Sequence, residues 1–320
     1  MNRSTPAQGT RASANAPWLS SYLLLSAIWG TSFLFIKIGD RQLSPLQVVL
    51  ARMALGAATV LAVLLARRAR LPSRLRTWGH LALLALMSNV VPFSLIAYGE
   101  THISSVLAGL WNATTPLFTL VIALWVLPEE RPTRQRVGGL ALGFLGVVVV
   151  LGPWSGLGGP SLDGSIAVAA ASACYGLSFT YLRRFVAGHS DDGVSLVAGQ
   201  LLCGTAIMAA ITIPFTSAPS HVGAGPLLSI AALGVLGTGV AYVLNYAVVR
   251  RAGATIASTV TYVIPLFATA CGVLLLDEGL DWNEPVGALV VLLGVTISQG
   301  RLRVRSRNPP TLRARRAEVA

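Results

Sequence analysis

Trp29, Phe33 and Lys37 recur every four residues, and so do Tyr175, Phe179 and Arg183. At helical pitch each trio shares one face. Two rings below a cation could stack on a flat or cationic solute in a cavity. Helix packing and anchoring at a membrane interface use the same residue types. A second polar stretch runs Trp111-Asn112-Ala113-Thr114-Thr115-Pro116. An Asn side chain in an apolar run must face protein or water. Pro116 lacks an N–H, which frees a carbonyl one turn back near Asn112. That carbonyl suits an amine or a cation; the other use of Asn112 is to tie two helices together. Pro265 repeats the kink, with Thr261 in the place of Asn112 and Tyr262 beside it. Ser88-Asn89-Val90-Val91-Pro92 and Gly237-Thr238-Gly239 interrupt two further helices, the second followed by Tyr242, Asn245 and Tyr246. Such interruptions serve as cavity walls or hinges, or as close-packing points between helices.

Charged side chains are sparse. Arg52 lies about 10 Å along its helix from Pro45 at 1.5 Å per residue. It is expected to pair with Asp40 or Glu100, and a carboxylate-bearing substrate is the alternative partner. Lys37 is expected to snorkel from the end of its helix. The acids fall on loops and helix ends, and Glu100 is the nearest candidate for a proton relay. No metal-binding spacing of His, Cys, Asp or Glu occurs, and no cofactor is implied. Cys174, Cys203 and Cys271 lie in apolar runs and read as packing residues.

The elements that carry these residues follow from composition. Of 320 residues, 54% are hydrophobic and 11% charged, less than half the charge of a typical soluble domain at about 25%. Such a chain cannot coat a water-soluble surface, and it is too apolar to be disordered. It reads as an all-α polytopic membrane protein. Apolar segments fall near 18–38, 45–66, 78–98, 104–127, 134–152, 163–185, 194–214, 226–249, 254–276 and 283–300, each long enough to cross about 30 Å of hydrocarbon. Residues 1–17 read as a disordered polar tail without the pattern of a secretory signal, and 301–320 as a basic tail.

The net charge of +12 would suggest nucleic acid in a soluble protein. Here it follows topology, so no nucleic-acid partner is expected. Arginines crowd both tails and the connections after even-numbered segments, among them Arg67, Arg68, Arg70, Arg74 and Arg76, leaving Arg41 alone on the opposite side. That asymmetry puts both termini in the cytoplasm of a cell-membrane protein.

The sequence also repeats itself. Ala27–Phe33 resembles Ala173–Phe179 at an offset of 146; Pro116-Leu117-Phe118, Glu129 and Gly138 match Pro265-Leu266-Phe267, Glu278 and Gly287 at 149. Five segments per repeat (18–152 and 163–300) make the second half inverted, an arrangement that points to alternating access about a midplane site.

These motifs, with Ala97–Ser105, resemble the drug/metabolite transporter superfamily, EamA-repeat type. The resemblance spans residues 18–300. It implies ten transmembrane helices, eight around a cavity with the fifth and tenth to one side, and export of amino acids, other metabolites or toxic compounds. Tyr175 stands where the first half has Trp29, so the two halves are not chemically equal. The expected cavity residues are Trp29, Phe33, Asn89, Trp111, Asn112, Thr115, Tyr175, Phe179, Tyr242, Asn245, Tyr246 and Tyr262. Pro92, Pro116, Gly237, Gly239 and Pro265 are the expected kinks or hinges. The expected partners are a small-molecule substrate and the lipid bilayer, and the Gly- and Val-rich fifth and tenth helices suit a homodimer or lipid. A membrane enzyme and a channel are the rival readings: the first commonly needs clustered ligands or a nucleophile–base pair, which the sequence lacks, and the second needs no matched halves.

Overall fold

The computed structural model describes residues 18–126, 134–151, 161–186, 192–219, 221–252 and 260–298. Among these every regular element is helical. In chain order they are α1 (Leu19–Gly39), α2 (Pro45–Ala66), α3 (Leu75–Ala85), α4 (Val91–Glu100), α5 (Ser105–Asn112), α6 (Thr115–Val126) and α7 (Arg134–Leu151). Then come α8 (Ser161–Tyr181), α9 (Gly193–Phe215), α10 (Ala224–Gly234), α11 (Ala241–Ala252), α12 (Val260–Leu276) and α13 (Asn283–Ser298). Six continuous stretches are long and apolar enough to cross a membrane: Leu19–Gly39, Pro45–Ala66, Leu75–Glu100, Leu162–Val186, Gly193–Phe215 and Ala224–Asn245. Val137–Gly146, Val263–Leu276 and Asn283–Gly294 are shorter apolar helices. The two tails, and Glu129 with its neighbours, lie outside the described residues.

Local chemistry explains the breaks. Ser44 and Gln47 form a reciprocal capping box at the start of α2, with Pro45 in the first turn. Ser104 caps α5, its Oγ accepting from the Leu107 N–H at 3.1 Å. The expected helix over 104–127 divides at Ala113-Thr114, just before Pro116. The two expected interruptions are π turns rather than gaps. Leu86–Val90 joins α3 to α4, and Val235–Val240 joins α10 to α11. They begin 149 residues apart, the offset of the sequence repeat. Each keeps its helix continuous while shifting the hydrogen-bond register. A third π turn, Leu182–Val186, ends the α8 helix. Pro265 is accommodated within α12 without a break.

Packing follows the same offsets. α1 crosses α12 so closely at Gly30 that a Cβ would lie 2.8 Å from the Ile264 carbonyl oxygen. α8 crosses α6 in the same way at Gly176, where a Cβ would lie 2.8 Å from the Thr119 amide nitrogen. Only hydrogen side chains permit these approaches. α2 packs on α9 and on the second π turn, and α4 packs on α8. α7 and α13 pack along one another and contribute nothing to the cavity described next.

Candidate functional site

A cavity of about 390 Å³ opens between α1, α2, the α3–α4 helix, α5–α6, α8, α9, α11 and α12. Its lining reaches Leu81, Val186 and Gly193 near one end of the bundle. Toward the other end it stops at Ile36, Arg52 and Ile96. The cavity therefore approaches one surface and is closed off from the other.

Aromatic residues from both repeats meet in its wall. Trp29 and Phe33 come from α1, Tyr175 and Phe179 from α8, and Tyr242 from α11. The Trp29 indole N–H donates to the Gly237 carbonyl at 3.2 Å, and its ring meets Tyr242 edge-on at 6.3 Å. A carbonyl inside the second π turn thus fixes the first helix's tryptophan. Asn112, Thr115 and Asn245 also line the cavity. The Thr115 hydroxyl donates to the Asn112 carbonyl at 2.8 Å. The carbonyl freed by Pro116 is therefore satisfied internally, which corrects the expectation that it faces a substrate. The side-chain amides of Asn112 and Asn245 have no protein partner among the described residues and stand open to the cavity.

The other expected residues lie elsewhere. Asn89 is fully buried behind the wall: its Nδ2 donates to the Tyr242 hydroxyl at 2.6 Å, and its Oδ1 accepts from Gln200 Nε2. It positions Tyr242 rather than lining the cavity. Trp111 is packed in the core, and its carbonyl accepts from the Ser172 and Thr114 hydroxyls. It too is a correction: its side is turned to α8, one face away from Asn112. The side chains of Tyr246, Tyr262 and Arg183 lie outside the described residues. Pro92 and Gly237 and Gly239 sit in or beside the π turns, and Pro116 follows the α5–α6 break.

Arg52 is the one charged residue among those lining the cavity. It is 6% exposed. Its Nε donates to Thr238 Oγ1 at 2.9 Å, and its guanidinium lies 3.7 Å above the Phe93 ring centroid. Thr238 can present its oxygen because its own hydroxyl donates to the Leu233 carbonyl at 3.2 Å within the π turn. The expected pairing with Asp40 or Glu100 does not form. Thr238 and Phe93 hold the group from the sides, and its two Nη groups keep no partner among the described residues. Such a fork matches a carboxylate or another planar anion.

Lys37 does not snorkel either. Its Nζ donates to the carbonyls of Glu100 and Ile103, the latter at 2.7 Å. Carbonyls at the end of α4 lack helical partners, and a cation is well placed to satisfy them. Gln200 is the residue that sequence reasoning missed. It lines the cavity and donates to Ser88 Oγ at 2.7 Å as well as to Asn89. A lone glutamine in the apolar α9 was the available signal.

The sequence profile of the EamA-like transporter family matches residues 16–152 and again 162–299. The chain belongs to this family. It is 27% identical over 297 residues to an uncharacterized transporter, YcxC, of Bacillus subtilis, covering 90% of this chain and 94% of that one. An uncharacterized transporter of Archaeoglobus fulgidus is 24% identical over 88% of this chain and 98% of its own length. The uncharacterized inner membrane transporter YedA of Escherichia coli K12 is 27% identical over 88% and 90%. A protein of known crystal structure superposes with a TM-score of 0.66, covering 91% of this chain and all of that one at 20% identity, a likeness of fold. With the apolar helices, these findings make this EamA-family chain a multi-pass membrane protein and a transporter.

Proposed function

We propose that this EamA-family protein is a carrier that exports small metabolites, amino acids or drug-like compounds bearing an anionic group. In this reading the chain crosses the cytoplasmic membrane ten times, as two inverted five-helix repeats with both termini inside. The repeats exchange access to the cavity from side to side. Three features support the architecture: π turns at the repeat offset, matched glycine crossings at Gly30 and Gly176, and a cavity that approaches one end only. The α3, α8 and α9 ends it approaches lie on the arginine-rich side, so the cavity faces inward.

The observation that carries the substrate class is Arg52. A buried cation with both Nη groups unpaired is costly in a membrane protein unless a ligand completes it. Trp29, Tyr175 and Tyr242 around it supply flat apolar walls, and Asn112 and Asn245 supply donors and acceptors for a second polar group. Binding a carboxylate at Arg52 and an aromatic or aliphatic body against the rings uses every exposed feature of the site.

The test is a panel of toxic amino acids, carboxylates and neutral drugs given to cells with and without the gene, with efflux then measured in proteoliposomes. Gene-dependent resistance and efflux that favour carboxylates, and that are lost in Trp29→Ala and Asn112→Ala while membrane insertion persists, support the reading. Equal efflux with and without the protein for every panel member overturns it.

A further inference from the structure

We propose that Glu100 is a proton-binding site, and that its ionisation releases a Lys37 latch closing the cavity's far end. The proposal rests on the carrier reading and its orientation, in which that end faces outward.

Glu100 is the last residue of α4 and is 0% exposed. Neither of its carboxyl oxygens has a hydrogen-bond partner. Both carboxyl oxygens of Asp40 are likewise buried and unpartnered. The charged groups facing Glu100 are Asp40 and Lys37 from α1, Arg52 from α2, and Glu278 from the turn after α12. None of these reaches it as an ion pair. Lys37 is engaged by the Glu100 and Ile103 carbonyls instead. Arg52 is engaged by Thr238 and Phe93. Glu278 accepts from the Ser105 N–H at 2.9 Å, the Ser105 hydroxyl at 2.7 Å and the Val106 N–H at 3.1 Å.

An ionised carboxylate without a donor is not stable in such a place, whereas a protonated carboxyl is tolerated. Glu100 therefore carries a proton in this conformation. Loss of that proton creates a buried anion whose nearest mobile cation is the Lys37 ammonium. Turning Nζ toward the carboxylate takes it off the two carbonyls. Those two bonds join α1 to the α4–α5 connection across the closed end of the cavity, so breaking them loosens that end.

The device is one-sided. At the repeat offset of 149, Val249 stands where the first half has Glu100. The arginine-rich end has no equivalent carboxyl at this position, so a proton acts on one gate and not on its counterpart.

The test uses a cysteine-free protein (Cys174, Cys203 and Cys271 replaced) carrying Ser32→Cys in the cavity wall. Right-side-out vesicles are labelled with a membrane-impermeant maleimide, and each rate is divided by that of the denatured protein at the same pH. The expected outside rate is low near pH 5.5 and rises about tenfold or more toward roughly pH 8.5, as one proton is released. With Glu100→Gln it stays low throughout. With Lys37→Met it is high throughout, which also shows that the labelling site is intact. A rate that does not change with pH in the parent protein overturns the proposal, as does a Glu100→Gln profile identical to the parent's. The efflux panel is run at one pH, so its outcome judges the carrier reading separately.

Discussion

Arg52→Gln separates two quantities that usually move together, stability and ligand affinity. In the empty protein the substitution removes the 2.9 Å bond to Thr238 and the 3.7 Å contact over Phe93. A hydrogen bond to a charged group contributes about 1.5–3 kcal/mol, and a desolvated cation–π contact roughly 0.5–2. Against this stands the desolvation of a buried cation with unpaired Nη groups, which costs several kcal/mol. The two sides nearly cancel, so unfolding stability should stay within about 2 kcal/mol of the parent. Binding has no such compensation. A carboxylate on the fork loses two charge-assisted bonds, about 3–6 kcal/mol in total, or roughly 10²- to 10⁴-fold in affinity. Thermal unfolding of the detergent-purified protein, with and without a carboxylate ligand and its amide analogue, reads both quantities. Wild type should prefer the carboxylate, and Arg52→Gln should lose that preference while unfolding at nearly the same temperature. Loss of more than about 4 kcal/mol of stability, with the preference intact, would show that Arg52 is a structural cation.

Three other substitutions probe the framework. Tyr242→Phe leaves the buried Asn89 Nδ2 without its 2.6 Å acceptor and should cost about 1–3 kcal/mol, measured by thermal unfolding. Gly30→Val places a Cβ 2.8 Å from a backbone oxygen that cannot swing aside and should destabilise by about 1–3 kcal/mol, with purified yield and unfolding temperature falling together. Burial pushes the Asp40 carboxyl up from its ordinary value of 3.8 to about 7, with Lys37 pulling the other way. A raised carboxyl favours the folded state in its protonated form, so its contribution is full below 3.8 and is lost as pH climbs through about 7. Stability measured against pH should fall across that window, and Asp40→Asn should make the fall shallower.

Much of this site could be read before any coordinates. The four-residue spacing of Trp29 and Phe33, and of Tyr175 and Phe179, placed each pair on one face, and all four line the cavity. The polar interruptions in the third and eighth segments mark the two π turns. What spacing does not supply is rotation and depth. Trp111 and Asn112 are adjacent, yet 100° apart on a helix, and only Asn112 reaches the cavity. Asn89 lies one layer back because the π turn changes the register just where it sits. Lys37 and Arg52 were misread for a shared reason. Each found neutral oxygen partners from a distant segment, the carbonyls of Glu100 and Ile103 or the Thr238 hydroxyl. Pairing by charge alone overlooks such partners.

The π turns also make the cavity sensitive to counting. A turn that holds one residue more than α pitch allows sets the angle of everything after it. Deleting a single residue between Val235 and Val240 should restore regular pitch and swing Tyr242 and Asn245 by about 100° around the helix axis. The rings would then leave the wall and the Arg52 anchor would go with them, although the apolar character of the span would hardly change. In this protein a one-codon deletion at the turn threatens the solute site more than many exchanges of one apolar side chain for another.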